Sequence, residues 1–433
     1  MKVVIMAGGK GTRIASVKGD VPKPMIDICG KPILEWQIDV LKSQGLTDIT
    51  LVIGYLGHII KDYFGNGSSF GVNISYYVED VPLGTAGALF KMNLDDDFLL
   101  LCGDVILDVD YHRFIEFHRA NNAWASLMAH PNGHPYDSSL LVTEILPPQK
   151  VGGNPVDTHK VVNWMNKEDE RVYYKNRVNA GVEIISPKLL EETIKHYVPR
   201  YPESPDKIDL DRDVLKPNIP SGKIYAYDTP EYIKDMGTPD RYYEVEKDIK
   251  EGKVKARNLA NKQKAIFLDR DGTINKYVGF LTKTEQFELL PGVAAAVRLI
   301  NKSGYLAIVV TNQPVIARGD CTWEELIHIH NKMETELGKD GAFLDAIYIC
   351  PHHKDKGFEG ERPEYKYDCN CRKPKAGLLL QAATDFNIDL SCSYMIGDSE
   401  SDMLSGKNAG CKDSFLVENG NLYDVLLKVL SDG

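Results

Sequence analysis

The sequence predicts an α/β protein of two domains, each a mostly parallel sheet covered by helices. Three observations carry this. Short apolar runs alternate with helix-like stretches along the chain, which is the rhythm of βαβ units. The runs are apolar at successive positions, as in Phe98-Leu99-Leu100-Leu101-Cys102, so the strands are expected to be buried on both faces, between helical layers. The 433 residues also exceed what one core holds, given roughly 100 to 200 residues per domain. The expected result is a pair of Rossmann-like three-layer sandwiches.

In chain order, residues 2–7, 49–53, 74–78 and 98–102 read as strands, and 32–44 and 111–121 as helices. From about 243 to 264 the chain turns polar and charged, with too little apolar content to found a core. A helix ending at Gly252, followed by a linker, is the expectation there. A second βαβ series opens at Ala265-Ile266-Phe267-Leu268 and continues through 306–311, 346–350 and 393–397. The expected division is residues 1–245, a linker over 246–263, and residues 264–433.

Composition narrows the function classes. With 43% hydrophobic and 26% charged residues, the chain reads as a folded soluble protein. A formal charge of −11 gives no broad attraction to nucleic acid or anionic lipid, so anionic ligands must be met by local cations. Small phosphorylated molecules are the expected partners, and a homo-oligomer is compatible with this composition. Met1-Lys2-Val3-Val4-Ile5-Met6 enters a strand pattern at once, leaving no room for a signal peptide. No apolar run approaches the ~18 residues of a membrane span. Cytoplasm is the expected location. Eight cysteines are spread thinly except between Cys350 and Cys371, which favours metal binding over disulfides in a reducing compartment.

Two stretches carry phosphate chemistry. The first is Met6-Ala7-Gly8-Gly9-Lys10-Gly11-Thr12-Arg13. A strand running into Gly8, Gly9, Gly11 and Thr12 gives a loop whose backbone N–H groups can approach phosphate oxygens without a Cβ in the way. The spacing is neither the Walker nor the dinucleotide fingerprint. Arg13 and Lys23 supply cations able to neutralise a triphosphate as pyrophosphate departs. The second stretch is Asp269-Arg270-Asp271-Gly272-Thr273. There, one carboxylate can attack a phosphorus while the other protonates the leaving oxygen. Between these chemistries and the C-terminus, Cys350-Pro351-His352 and Cys369-Asn370-Cys371 offer a closed tetrahedral set suited to structural Zn²⁺, with His353 as an adjacent competitor.

The first half resembles the sugar-phosphate nucleotidyltransferases. The resemblance rests on the glycine-rich opening, Pro22-Lys23-Pro24, Pro82-Leu83-Gly84-Thr85-Ala86-Gly87, Cys102-Gly103-Asp104 and Asp235-Met236-Gly237-Thr238-Pro239. It implies that Gly84, Thr85 and Gly87 pack against the nucleobase with Glu79 nearby, and that Asp104 and Asp235 hold Mg²⁺. It also implies that Asn179, Gly181 and Glu183 meet the sugar and Lys167 its phosphate, although many relatives have Glu-Lys where this chain has Asn166-Lys167. Residues 209–213 read as a solvated acidic stretch.

The second half resembles the haloacid-dehalogenase-like phosphotransferases, with motifs in order at Asp269-Arg270-Asp271, Thr311, Lys373 and Gly397-Asp398. The resemblance implies Asp269 as nucleophile, Asp271 as acid/base, and Thr311 and Lys373 as phosphoryl stabilisers. Mg²⁺ ligands would be Asp269, Asp271 and Asp398, with Asp402 in support. The zinc-loop pattern narrows the likeness to D,D-heptose 1,7-bisphosphate phosphatases and their histidinol-phosphatase relatives, which are capless and use the equivalent of Cys350, His352, Cys369 and Cys371. It implies Arg318 and Arg372 for a distal phosphate and Asn312 and Gln313 in the pocket. Pro314-Val315 departs from the Ser-Gly common after Asn-Gln, and Ser399 from the lysine often found after the aspartate.

Together the resemblances imply a bifunctional enzyme of GDP-heptose synthesis. It would use GTP and a phosphorylated heptose, with Mg²⁺ in both domains and Zn²⁺ in the second. The alternative is a mannose-1-phosphate guanylyltransferase fused to a histidinol-phosphatase-like or other monoester phosphatase.

Overall fold

A computed structural model describes residues 1–9, 20–418 and 420–431. Two compact units form: Met1–Ala129, His159–Trp164 and Asn179–Asn258 make one, and His130–Thr158, Met165–Val178 and Leu259–Gly433 the other.

The first unit is built on a sheet in which Asn73–Val78, Asp48–Ile53, Lys2–Met6 and Phe98–Cys102 lie side by side and parallel. Val3, Val4 and Ile5 are all buried, so the uninterrupted apolar runs are covered on both faces, as the sequence predicts. Next in the sheet comes Val178–Ile185, antiparallel to Phe98–Cys102, with Glu183 opposite Leu100. Helix Ile33–Ser43 buries Ile33, Leu34, Gln37, Ile38 and Leu41, one face of a 3.6-residue period. It stops where Gly45, at φ +77°, turns the chain and Leu46 N–H returns to Leu41 O.

The charged run forms its helix up to the expected end at Gly252, and one short helix extends into the stretch expected to be linker. Thr238 caps helix Pro239–Lys250, Gly252 turns the chain at φ +73°, and Lys253–Ala256 follows. Val245 and Val254 are buried in one cluster with Ile33, Ile106 and Met236. Two valines on the right faces suffice, which average composition conceals.

In the second unit a parallel sheet runs in the order Ala346–Cys350, Tyr305–Asn312, Lys264–Leu268, Tyr394–Gly397, Asp413–Leu416. Ile266 and Leu268 enter one core, Ala265 and Phe267 the other, so successive side chains feed opposite layers. The chain winds outward from the central strand first to one edge and then to the other. This puts a topological switch point at the carboxyl end of Lys264–Leu268. Helix Trp323–Lys339 starts with a capping box, Thr322 and Glu325 exchanging hydrogen bonds. Segments from earlier in the chain complete this unit. Leu140 pairs with Val178 and packs with Tyr174, and the Tyr174 N–H donates to Thr335 Oγ1 at 3.0 Å. Among the described residues, no helix is long and apolar enough to cross a membrane.

Candidate active sites

In the first unit the strand Lys2–Met6 delivers Ala7, Gly8 and Gly9 to the carboxyl end of the sheet. Gly11, Thr12 and Arg13 lie outside the described residues. Gly8 is hemmed in: a Cβ there would stand 2.9 Å from Glu79 Oε2, whereas Gly9 is open. Burial raises the Glu79 carboxyl above its ordinary value, against a hydrogen bond from the Leu83 backbone, and its Oε1 is buried without a protein partner. Gly84 and Gly87 are small for a reason internal to the protein. A Cβ on Gly84, at φ +81°, would meet Ile208 O at 2.4 Å, and one on Gly87 would meet Asp206 O at 2.2 Å. Thr85 Oγ1 accepts from Leu210 N–H at 2.8 Å, further fixing that turn.

Asp104 and Asp235 are brought to one place by strand register. Tyr232–Asp235 runs antiparallel to Val105–Asp108 with Asp235 opposite Val105, and Met236 N–H donates to Asp104 O at 2.9 Å. Lys23, buried, forms an ion pair with Asp104. Burial favours the neutral form of Asp235, but Arg241 and the Gly237 N–H, 2.8 Å from Oδ1, outweigh it and hold the carboxyl below its usual range. Two carboxylates beside a fixed lysine offer the oxygen ligands that suit a hard cation such as Mg²⁺.

Sequence reasoning passes over Gln37, a lone amide on an apolar helix face. Its Nε2 donates to Cys102 O at 2.8 Å and Val105 O at 2.7 Å, pinning the two ends of the loop that carries Asp104. Asn179, Gly181 and Glu183 share one strand. Gly181 sits at φ +70° against Cys102 Sγ, and Glu183 is almost wholly buried, its carboxyl pushed to about 8 by burial and then by Asp211. Asp211 belongs to the stretch that reads as solvated, yet burial pushes its carboxyl to about 6. Lys167 lies in the second unit, exposed, 3.7 Å from Asp137.

In the second unit Asp269 and Asp398 follow adjacent strands and Thr311 sits near the end of a third. Asp269, Asp398 and Asp402 present carboxylate oxygens within 4.8 Å of one another. Lys373, buried, reaches Asp269 Oδ1 and Asp402 Oδ1, each at 2.5 Å. Burial disfavours its charge, but these two carboxylates hold the ammonium protonated. Burial raises Asp269, and Lys373 opposes that rise. A set of three carboxylates around one buried cation has room in its charge balance for a divalent ion. Gly272 makes the approach possible: a Cβ there, at φ +88°, would fall 2.0 Å from Asp398 Oδ2.

Asp271, expected among the metal ligands, is outside that carboxylate set. Arg270 donates to its Oδ2 at 2.7 Å, Gln313 to the same oxygen at 2.8 Å, and Asn275 to Oδ1 at 3.0 Å. Burial raises this carboxyl, but the Arg270 guanidinium and those amides together hold it below the ordinary range. Arg270 is fully buried and also contacts His330 Nε2 at 3.0 Å. Gln313 is buried and spans Thr311 and Asp271. Asn312 clamps the Lys373 main chain, its Oδ1 taking the Lys373 N–H at 3.0 Å and its Nδ2 donating to Lys373 O at 3.2 Å. Both amides, expected in the pocket, thus have protein partners and hold Lys373, Thr311 and Asp271 in place. Arg318 is sandwiched between Phe280 and Phe358, 4.1 Å from each ring, and paired with Asp320. Arg372 donates to His352 O at 3.0 Å.

Cys350, His352, Cys369 and Cys371 converge, and His353 stands apart beside Asp355. Sulfur separations run from 3.2 to 3.5 Å, close to the roughly 3.7 Å edge of a tetrahedron with metal–sulfur bonds of about 2.3 Å. The thiols already share charge: Cys350 and Cys371 push Cys369 down, and Cys369 and Cys371 push Cys350 up. This set can hold a metal ion.

The second unit's geometry, a strand-end aspartate paired to a buried lysine at a switch point, is that of an enzyme handling phosphoryl groups. Comparison with known proteins agrees. A nucleotidyl transferase family model matches residues 2–252, and a HAD-hydrolase-like model matches 370–426. The D-glycero-beta-D-manno-heptose-1,7-bisphosphate 7-phosphatase of Pasteurella multocida (strain Pm70) is 45% identical over 159 residues, 36% of this chain and 83% of that protein. The protein of the same name from Escherichia coli (strain K12) is 38% identical over 182 residues, 40% of this chain and 93% of that one. HddC from Yersinia pseudotuberculosis, solved with GMP-PN, is 28% identical, covering 57% of this chain and 99% of that one with a TM-score of 0.44. The chain belongs to the nucleotidyl transferase family over residues 2–252 and, over its C-terminal part, to the family of these phosphatases.

Proposed function

We propose that the two sites act in turn on one phosphosugar, with residues 1–245 as transferase and 264–433 as phosphatase. The second site would remove the 7-phosphate of D-glycero-D-manno-heptose 1,7-bisphosphate. The first would then join the remaining 1-phosphate to GMP from GTP. The observation that carries this reading is the 45% identity to a heptose bisphosphate phosphatase on a chain whose own Asp269, Asp398 and Lys373 are assembled at the ends of adjacent strands.

In the phosphatase, an Asp269 oxygen attacks the phosphorus and the bond to the sugar oxygen breaks, leaving an aspartyl phosphate. Asp271, ionised in the free enzyme, takes a proton from solvent as the approaching phosphate anion raises its proton affinity, and delivers it to the departing sugar oxygen. Water then attacks the aspartyl phosphate and gives its proton to Asp271, restoring Asp269 and releasing phosphate. Lys373 and Thr311 stabilise the phosphoryl oxygens. In the transferase, a 1-phosphate oxygen attacks the α-phosphorus of GTP and the α–β bond breaks, with Lys23 and Arg13 the cations proposed to neutralise the pyrophosphate as its charge develops. Mg²⁺ held by Asp269 and Asp398, and a second by Asp104 and Asp235, would supply further neutralisation of phosphoryl charge. Zn²⁺ on the Cys350, His352, Cys369 and Cys371 set would tie the charged loop between its ligand pairs. Phosphosugar and GTP as partners place this work in the cytoplasm.

Incubating the protein with the bisphosphate and GTP, with products read by mass, tests the proposal. GDP-heptose, phosphate and pyrophosphate are expected. A preference for histidinol phosphate over the bisphosphate, or for mannose 1-phosphate over heptose 1-phosphate, would overturn it.

A further inference from the structure

The outer nitrogen of the metal-site histidine is met by a turn from far earlier in the chain. His352 directs Nδ1 into the thiol cluster, 3.2 Å from Cys371 Sγ, and Nε2 toward the carbonyl oxygen of Gly152, 2.7 Å away. An imidazole that binds a metal through Nδ1 keeps its proton on Nε2, so this contact is N–H donation to a carbonyl. Such a partner fixes both tautomer and ring plane. Gly152 lies within the stretch matched by the nucleotidyl transferase model, not within the phosphatase motifs.

The turn fits the site closely. Gly152 adopts φ +74°, and a Cβ there would stand 2.2 Å from Glu364 O and 3.0 Å from the Tyr367 ring. Tyr365 Oη donates to Gly153 O at 3.0 Å, and Asn154 Nδ2 donates to Ile349 O at 3.1 Å. Tyr367 Oη sits 2.7 Å from His352 Nε2. Ile349 immediately precedes the ligand Cys350, whereas Glu364, Tyr365 and Tyr367 lead into the ligands Cys369 and Cys371. Three successive residues therefore touch the strand carrying the first ligand, the histidine itself, and the loop carrying the last two.

We infer that residues 152–154, from the transferase part of the sequence, are a positioning element of the phosphatase metal site and set how tightly the Cys350, His352, Cys369 and Cys371 cluster retains its metal. This rests on the reading of that cluster as a metal site. A phosphatase loop would then depend for its order on a segment that a nucleotidyl transferase model spans.

The test uses the full chain loaded with zinc, measuring transfer of zinc to the chromogenic chelator 4-(2-pyridylazo)resorcinol. Gly152→Val drives a side chain into the Glu364 carbonyl and should speed zinc loss about 10- to 100-fold, the usual effect of removing a ligand's outer partner. Asn154→Ala and Tyr367→Phe, which introduce no bulk, should speed it by a smaller factor and keep the test open if Gly152→Val does not fold. The cobalt-substituted proteins should show altered visible absorption in the same order, a signature that a general loss of stability would not move. Unchanged zinc release and unchanged cobalt spectra in the variants would overturn the inference. A wild-type chain that binds no zinc from a zinc-supplemented medium would instead overturn the metal reading beneath it.

Discussion

Replacing Glu183 by glutamine should remove a pH-dependent liability from the first unit. Glu183 is 2% exposed. Burial, and after it the charge of Asp211, raise its carboxyl from 4.5 to about 8, against a hydrogen bond from Asn179. Between those values the native chain holds a proton that the unfolded chain has released. The stability associated with the protonated form is therefore complete below about 4.5 and is lost as pH rises through about 8. At about 1.36 kcal/mol per pH unit for one proton, that interval sets a ceiling of roughly 5 kcal/mol. Water penetration and relaxation around a buried charge reduce this to an expected 2 to 5 kcal/mol, as an order of magnitude. Glutamine has the same shape and no proton to lose. Urea unfolding of both proteins at pH 5, 7 and 9 would be followed by tryptophan fluorescence, since Trp36, Trp124 and Trp164 belong to the first unit. The variant's advantage should grow with pH, and an advantage constant from pH 5 to 9 would refute the reasoning.

Three further outcomes are expected. Gly272→Ala places a Cβ 2.0 Å from Asp398 Oδ2 at a φ of +88°, and should cut phosphate release by about 100-fold or more while nucleotidyl transfer from the 1-phosphate stays unchanged. Asp269→Asn should abolish phosphate release, measured from the bisphosphate, yet leave GDP-sugar formation from heptose 1-phosphate nearly untouched; loss of both would show that the two activities are not independent. Gln37→Leu strips the donor from the Cys102 and Val105 carbonyls. It should cost about 1 to 3 kcal/mol in the unfolding of the first unit and lower the transferase turnover, with phosphate release unchanged.

The parts of the fold that could be read in advance are those whose signal is local. Val3, Val4 and Ile5 announce a doubly covered strand because burial on both faces demands three apolar residues in succession. Asp269 announces itself because a carboxylate just after such a run sits at the carboxyl end of its strand, where ligands gather. What no single stretch of sequence carries depends on pairings across long sequence distances, and only the family resemblance brings Asp104 and Asp235 together beforehand. Nothing near Asp104 says that Asp235 will face its neighbour, since the register of Tyr232–Asp235 against Val105–Asp108 decides that. Arg270 reads as the variable middle of an Asp-x-Asp motif, yet it is fully buried and anchors Asp271. Asn312 and Gln313 read as pocket residues by resemblance alone; that their amides also hold Lys373, Thr311 and Asp271 depends on contacts across the fold. The run after Thr238 looks too charged to pack, because a composition average cannot show that Val245 and Val254 fall on the buried side of their helices.

The clustered thiols also bear on how the protein must be handled. All eight cysteines are unpaired, and Cys350 Sγ lies 3.3 Å from Cys371 Sγ and 3.5 Å from Cys369 Sγ, little more than 1 Å beyond the ≈2.05 Å length of a disulfide. A bound metal ties up these sulfurs as ligands. With the metal stripped, Cys369, whose thiol Cys350 and Cys371 push down, faces those thiols in van der Waals contact, an arrangement open to oxidation by peroxide or air. Chelators and aerobic storage would together convert a reversible metal loss into a covalent one, and a reductant kept present throughout would preserve the chain's capacity to be reloaded.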